Sequence, residues 1–235
     1  MVRGVLFDLG GTLLEYHREE IYRALLAERG LDVPSKAIEE AYDLAELAWN
    51  DYTAKLPAEK IWTDEDLAHL DLLVLQQLGI ESDLEDISQY VQQNWMRMDR
   101  GLPQTLVRRA FSDVLPCLQA LKGLWMRMGI VSNIPSTKVL DEEMELIGLE
   151  EFFPVRIASG SVGSAKPSAK IFHFAASRLQ LEPNQIMFVG DDLEKDYFGS
   201  RAVGMNPVLA DRKGRYLGKA GLNRVSSLIE IPKAF

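Results

Sequence analysis

Cysteine is nearly absent from this sequence: Cys117 is the one thiol among 235 residues. A single thiol can close no intramolecular disulfide and forms no zinc–thiolate cluster, so a reducing compartment is expected, with the cytoplasm as the location. Long apolar runs are missing as well. No stretch approaches the roughly 18 to 20 consecutive apolar residues of a membrane span, and the N-terminus lacks the charged, apolar and small-residue regions of a secretory signal. Positive charge is in deficit, with 26 Lys and Arg against 35 Asp and Glu and a formal charge of −9. Duplex DNA and acidic membranes draw their affinity mainly from Lys and Arg that neutralise phosphates, so neither nucleic acid nor membrane is an expected partner. Internal repeats and low-complexity segments are also lacking. What remains, at 47% hydrophobic and 26% charged residues, is the composition of a soluble globular protein with a substantial core.

The chain opens with Val2-Arg3-Gly4-Val5-Leu6-Phe7, an apolar run that stops at Asp8 and a Gly-Gly turn and reads as a buried strand with a polar tip. After Leu14 the period changes. From about Glu19 to Met98, apolar residues recur at helical spacing, as in Ile38, Tyr42, Ala45 and Trp49, or Ile87, Val91, Trp95 and Met98. This stretch is expected to form about four helices, with Gly30 and Gly79 as stops and with capping boxes at Thr63/Asp66 and Ser82/Glu85. From Phe111 onward, helix and strand alternate: strands near Gly129 to Ser132, Val155 to Ser159, Gln185 to Val189 and Pro207 to Ala210, with helices near Leu115 to Met126, Thr137 to Ile147, Ser168 to Leu179 and after Leu193. Such alternation implies parallel strands with crossover helices, a Rossmann-like three-layer α/β core. The expected domains are a core of residues 1–15 and 100–235 and an inserted all-helical domain of residues 16–99, far longer than an ordinary connection.

Ligands of open parallel sheets bind beyond the carboxyl ends of the strands. Four polar groups fall there: Asp8 in Phe7-Asp8-Leu9-Gly10-Gly11-Thr12, Ser132-Asn133, Lys166-Pro167 before a helix, and Gly190-Asp191-Asp192 with Asp196 following. Each has a plain structural reading alone: Asp191 and Asp192 as helix caps, Ser132-Asn133 as turn chemistry, Lys166 as a surface charge. The spacing Gly160, Gly163, Lys166 hints at a phosphate-binding P-loop, but Pro167 stands where Ser or Thr is required.

Together and in this order, the four elements resemble the haloacid dehalogenase-like superfamily, and the helical insertion sits where that superfamily places its C1 cap. The resemblance spans nearly the whole chain outside the insertion. It implies a sheet order 5-4-1-2-3, a cap that closes over the site, and Asp8 as both nucleophile and Mg²⁺ ligand. It further implies that Gly11, Thr12, Ser132 and Asn133 bind the phosphoryl group of a small phosphorylated metabolite and that Lys166 neutralises its charge. The metal site is completed by Asp191 and by the backbone carbonyl of Gly10, with Asp196 acting at one remove through water or Lys166. The chemistry is coherent: a carboxylate attacking a phosphate monoester needs a divalent cation and a lysine to offset like charge. Hard oxygen ligands suit Mg²⁺.

Gly10 departs from the family pattern, in which phosphatases carry there a second aspartate that protonates the leaving alcohol. Such acid–base help is worth about 10² to 10⁴-fold, so slow or leaving-group-selective turnover is expected, with Glu15 or His17 as substitute acids. Two alternatives share the motifs: a metal-independent haloacid dehalogenase, which needs no leaving-group acid, and a non-catalytic relative that binds a phospho-ligand or a protein. Asp191 and Asp192 weigh against the first. Arg212, Lys213, Arg215, Lys219 and Arg224 form an acid-free basic stretch that reads as a solvated face, the cap tryptophans Trp49, Trp62 and Trp95 read as core, and no motif marks Lys55 or Lys60 as a cap lysine of the phosphonatase type. Monomer and homodimer are equally compatible with the sequence.

Overall fold

A computed structural model describes residues 1–53 and 64–235. Lys55, Lys60, Trp62 and Thr63 lie outside them. The chain divides into two compact units, Met1–Tyr16 with Arg109–Phe235, and His17–Arg108.

The first strand, β1 (Gly4–Phe7), is followed by β2 (Leu14–Tyr16). The helical unit then contains α1 (Arg18–Glu28), α2 (Ser35–Thr53), α3 (Asp64–Gln77), α4 (Leu84–Gly101) and the single turn α5 (Gln104–Val107). One apolar stripe per helix builds its core, as the 3.6-residue period requires: Ile21, Tyr22, Leu25 and Leu26 meet Ile38, Ala41 and Ala45, Val74 and Leu75, and Ile87, Val91 and Met98. Trp95 packs edge-to-face on Tyr22 with ring centroids 5.3 Å apart. Two expectations need correction. The capping box at Ser82 and Glu85 is not formed, because α4 begins at Leu84 and Asp83, in a left-handed conformation (φ 56°), occupies the cap. The unit also ends at Arg108 rather than near residue 99, since Pro103 starts α5 and buries Val107 in the same core.

The α/β unit resumes with β3 (Arg108–Ala110), which pairs with β2, and continues through α6 (Val114–Gly123), β4 (Arg127–Ser132), α7 (Thr137–Leu146), β5 (Val155–Ala158), α8 (Ser159–Val162), α9 (Ala169–Leu179) and β6 (Ile186–Gly190). A π-helical turn (Leu193–Phe198), α10 (Gly199–Ala202), β7 (Asn206–Ala210) and the short β8 (Arg224–Val225) complete it. The main sheet is parallel in the order β5-β4-β1-β6-β7-β8. This is the expected five-strand order with β8 added at one edge.

Both faces of the sheet are covered, which is why its strands read as unbroken apolar runs. Val5 and Phe7 of β1, Met128 and Ile130 of β4, and Met187 and Val189 of β6 face α6 and α7, where Cys117, Leu118, Leu121, Leu140 and Met144 are buried. Leu6, Val131, Ile186 and Phe188 point the other way onto Ile171, Phe172, Ala175 and Leu179 of α9. With the strands clamped between two layers, the residues just past their carboxyl ends are held by rigid backbone.

Candidate active site

Asp8 follows β1 directly, and its N–H donates to the Val189 carbonyl of β6 (2.9 Å), extending the ladder by one residue and anchoring the carboxylate at the strand tip. Asp191 follows β6 in the same way, and Ser132 is the last residue of β4. Lys166 arrives from the loop between α8 and α9. Its ammonium, buried to 5% exposure, donates to Asp8 Oδ1 at 2.5 Å and to Asp196 Oδ1 at 2.7 Å. Carboxylate oxygens of Asp8, Asp191 and Asp196 lie within 4.8 Å of one another.

Three carboxylates therefore share one ammonium in a buried space. Burial would push the lysine pKa down, yet the charges of Asp196 and Asp8 outweigh it and hold it above its ordinary value. Burial raises the pKa of Asp196 to about 7, Lys166 opposing the rise and Asp8 adding to it. Asp191 is raised well above the carboxylate range, first by burial and then by the charges of Asp8 and Asp196. Such a donor set, all hard oxygen and in negative excess, fits a small divalent cation such as Mg²⁺.

The loop after β1 is built for close approach. Gly11 has φ +75°, and a Cβ there would stand 2.3 Å from Asp191 Oδ2, so no side chain fits between loop and acid. Thr12 is fully buried and its hydroxyl donates to Asp191 Oδ1 at 3.3 Å. Gly10 differs: a Cβ there meets the Tyr16 ring at ordinary van der Waals distance, 3.7 Å.

Asn133, Asp192 and Asp196 hold the backbone around the site and its lysine in place. The Asn133 amide, expected at the substrate, is spent on the main chain of Lys166, accepting from its N–H at 2.8 Å and donating to its carbonyl at 3.0 Å. It positions the lysine. Asp192 caps the π-helical turn, accepting from Glu194 N–H (3.0 Å) and Lys195 N–H (2.7 Å). Asp196 Oδ2, one turn on, accepts from the Asp192 N–H (3.1 Å), which aims Oδ1 at Lys166. Pro167 stands just before the helix, as expected: α9 starts at Ala169 with Ser168 as its cap residue.

Sequence reasoning missed one element. Arg212, read as part of a solvated basic stretch, donates to the Thr12 carbonyl (2.8 Å) and to both oxygens of Asp113 (2.9 and 3.0 Å), while its guanidinium lies 3.9 Å from the Phe111 ring centre. Asp113 also accepts from Ser227 Oγ (2.6 Å) and the Leu228 N–H (2.7 Å). Arg224 of the same stretch pairs with Asp211 at 3.3 Å. With 200 positions between Arg212 and Thr12, no local signal could have joined them.

The chain matches the family of haloacid dehalogenase-like hydrolases over residues 2–204. It belongs to that family. Among curated relatives of this hydrolase, glyceraldehyde 3-phosphate phosphatase of Methanopyrus kandleri is 29% identical over 222 residues, 92% of this chain and 86% of the relative. Ribulose-1,5-bisphosphate 5-phosphatase of Halopiger xanaduensis is 31% identical over 99 residues, 42% of this chain and 41% of the relative. Among solved structures, the magnesium-bound HAD-hydrolase YfnB of Bacillus subtilis aligns over 99% of this chain and 98% of its own with a TM-score of 0.72 and 18% identity, a likeness of fold. Among the described residues, no helix of this hydrolase is long and apolar enough to cross a membrane.

Proposed function

We propose that this hydrolase is a Mg²⁺-dependent phosphatase of small phosphorylated metabolites that works through an aspartyl phosphate on Asp8. The carrying observation is the single buried ammonium of Lys166 held between Asp8 and Asp196 with Asp191 beside them. Such a site has charge to spare for a cation and one positive group to face an incoming phosphate. The phosphatase names of the relatives support the substrate class.

Mg²⁺, held by Asp8, Asp191 and the Gly10 carbonyl, with Asp196 in support, would lower the repulsion between carboxylate and phosphate. Asp8 Oδ attacks phosphorus. Lys166 keeps one Asp8 oxygen fixed and carries positive charge to the phosphoryl oxygens. The Thr12 N–H and the Ser132 hydroxyl bind those oxygens, Gly11, whose own N–H is held by the Leu14 carbonyl, leaves room for their approach, and Asn133 holds Lys166 in place. The helical unit stands in the chain where the family inserts its C1 cap, and on this reading it selects the substrate. The metal-free dehalogenase reading has Gly10 in its favour, but gives no use to the negative excess around Lys166.

The test is a phosphate-release screen over phosphorylated metabolites with Mg²⁺ and with EDTA, run in parallel on Asp8→Asn. Release that needs both Mg²⁺ and Asp8 supports the proposal. Release that survives Asp8→Asn, or halide release from haloacids in EDTA, would overturn it.

A further inference from the structure

The family's leaving-group acid is replaced by Gly10, and the fold brings one particular side chain to that place. After Asp8 the chain turns back on itself: the N–H groups of Leu13 and Leu14 both donate to the Leu9 carbonyl at 2.8 Å, and the Gly11 N–H donates to the Leu14 carbonyl at 2.9 Å. Gly10 and Leu14 are thereby bridged, and β2 runs past the glycine. Side chains alternate along a strand, so Glu15 and Tyr16 leave β2 on opposite sides. Glu15 accepts from Arg109 Nε at 2.9 Å. His17, the other acid the sequence offered, has Nδ1 2.8 Å from Glu19 Oε1. Tyr16 is the side chain that a Cβ on Gly10 would meet, its Cε2 at 3.7 Å and its Cδ2 at 3.9 Å, the ring edge that leads to the hydroxyl. The ring, partly buried, also packs against the core cluster on that side of the sheet.

We propose that Tyr16 is the catalytic acid that takes over the work of the absent carboxylate, its phenol serving the leaving oxygen. The inference rests on the phosphatase reading above. As an Asp8 oxygen bonds to phosphorus, the phosphorus–oxygen bond to the alcohol breaks and the phenol proton passes to the departing oxygen, leaving alcohol and tyrosinate. Water then attacks phosphorus and gives a proton to the tyrosinate. The aspartyl–phosphate bond breaks, releasing inorganic phosphate and restoring carboxylate and phenol. A phenol is protonated at neutral pH in the ordinary case and is a much stronger acid than an alcohol, so the first transfer runs downhill. It differs from a carboxyl in needing no upward pKa shift to hold its proton.

The experiment compares nitrophenyl phosphate, whose leaving group needs no proton, with an alkyl phosphate positive in the release screen. Tyr16→Phe keeps the ring and its packing. It is expected to lower kcat/KM for the alkyl ester by about 10²-fold, the lower end of general acid help, and to change the aryl ester by less than about threefold. Gly10→Asp in the Phe background is expected to restore alkyl turnover at least about tenfold, with a clearly smaller gain in the wild type, because the two groups serve one atom. Equal losses on both esters, no loss on either, or equal gains from Gly10→Asp in the two backgrounds would overturn the role of Tyr16 while leaving an Asp8-dependent phosphatase standing. No Asp8-dependent release from either ester by the wild type would remove the phosphatase reading, and this role with it.

Discussion

Asp71 of α3 is a carboxyl buried to 9% exposure inside the helical unit, where it accepts a hydrogen bond from the Tyr22 phenol of α1. Burial drives its pKa from 3.8 up to about 6, against the opposing hydrogen bonds from Tyr22 and Gln92. Between those two values the folded state keeps a proton that the unfolded chain has released. Stability therefore falls as pH rises through the window, and the penalty is fully developed above it. The rise from 3.8 to about 6, at ~1.36 kcal/mol per tenfold change in proton affinity, amounts to about 3 kcal/mol as an upper figure. Asp71→Asn removes the charge and leaves an amide oxygen to accept from Tyr22, and the Gln92 amide can offer either its donor or its acceptor end. The variant should gain about 1 to 3 kcal/mol near neutral pH and lose that advantage at about pH 4. Urea unfolding at both pH values, followed by tryptophan emission, reads this out, since three of the four tryptophans, Trp49, Trp62 and Trp95, belong to the helical segment. A difference of the same size at both pH values would refute the argument, as would an Asn variant less stable than the wild type at neutral pH.

Two further substitutions probe the α/β unit. Lys166→Met leaves Asp8, Asp191 and Asp196 without their ammonium, so phosphate release should vanish and stability in EDTA should drop by about 3 to 5 kcal/mol, the cost of breaking a buried ion pair, with Mg²⁺ recovering part of it in thermal melts. An unchanged melting temperature in EDTA would contradict the electrostatic picture. Arg212→Ala removes the donor to the Thr12 carbonyl and the cationic partner of Asp113, leaving its charge with only the Ser227 hydroxyl and the Leu228 N–H among the bonds described above. A loss of about 3 kcal/mol in urea unfolding is expected, whereas a solvated surface arginine would change stability by less than about 0.5 kcal/mol.

Much of the architecture was legible in the order of residues, because burial leaves a periodic mark on the chain. A sheet covered on both faces must show short continuous apolar runs, as Val5-Leu6-Phe7 and Ile186-Met187-Phe188-Val189 do, and a helical bundle must repeat near 3.6 residues, as α4 does. The strand tips were legible for the same reason: an acid that ends an apolar run, like Asp8 or Asp191, stands where the sheet stops. The short β2–β3 pair and β8 carry no such mark. Two or three residues are too few to set a period, and their pairing depends on what lies alongside.

By itself, then, the sequence determined the parallel α/β core with its helical insertion, and it put Asp8, Ser132 and Asp191 at strand ends, because burial writes a short-range period into the chain; the resemblance to the family added the expected roles of Thr12, Lys166 and Asp196. Only the tertiary structure decided how they share their charges: one ammonium bonded to two carboxylates with a third within 4.8 Å. It also decided that Asn133 serves Lys166, that Arg212 ties the C-terminal part of the unit to the Thr12 carbonyl, and that Tyr16, rather than Glu15 or His17, lies against Gly10. These are matters of direction and distance between residues remote in the chain or on opposite sides of one strand, and the folded backbone is what sets them.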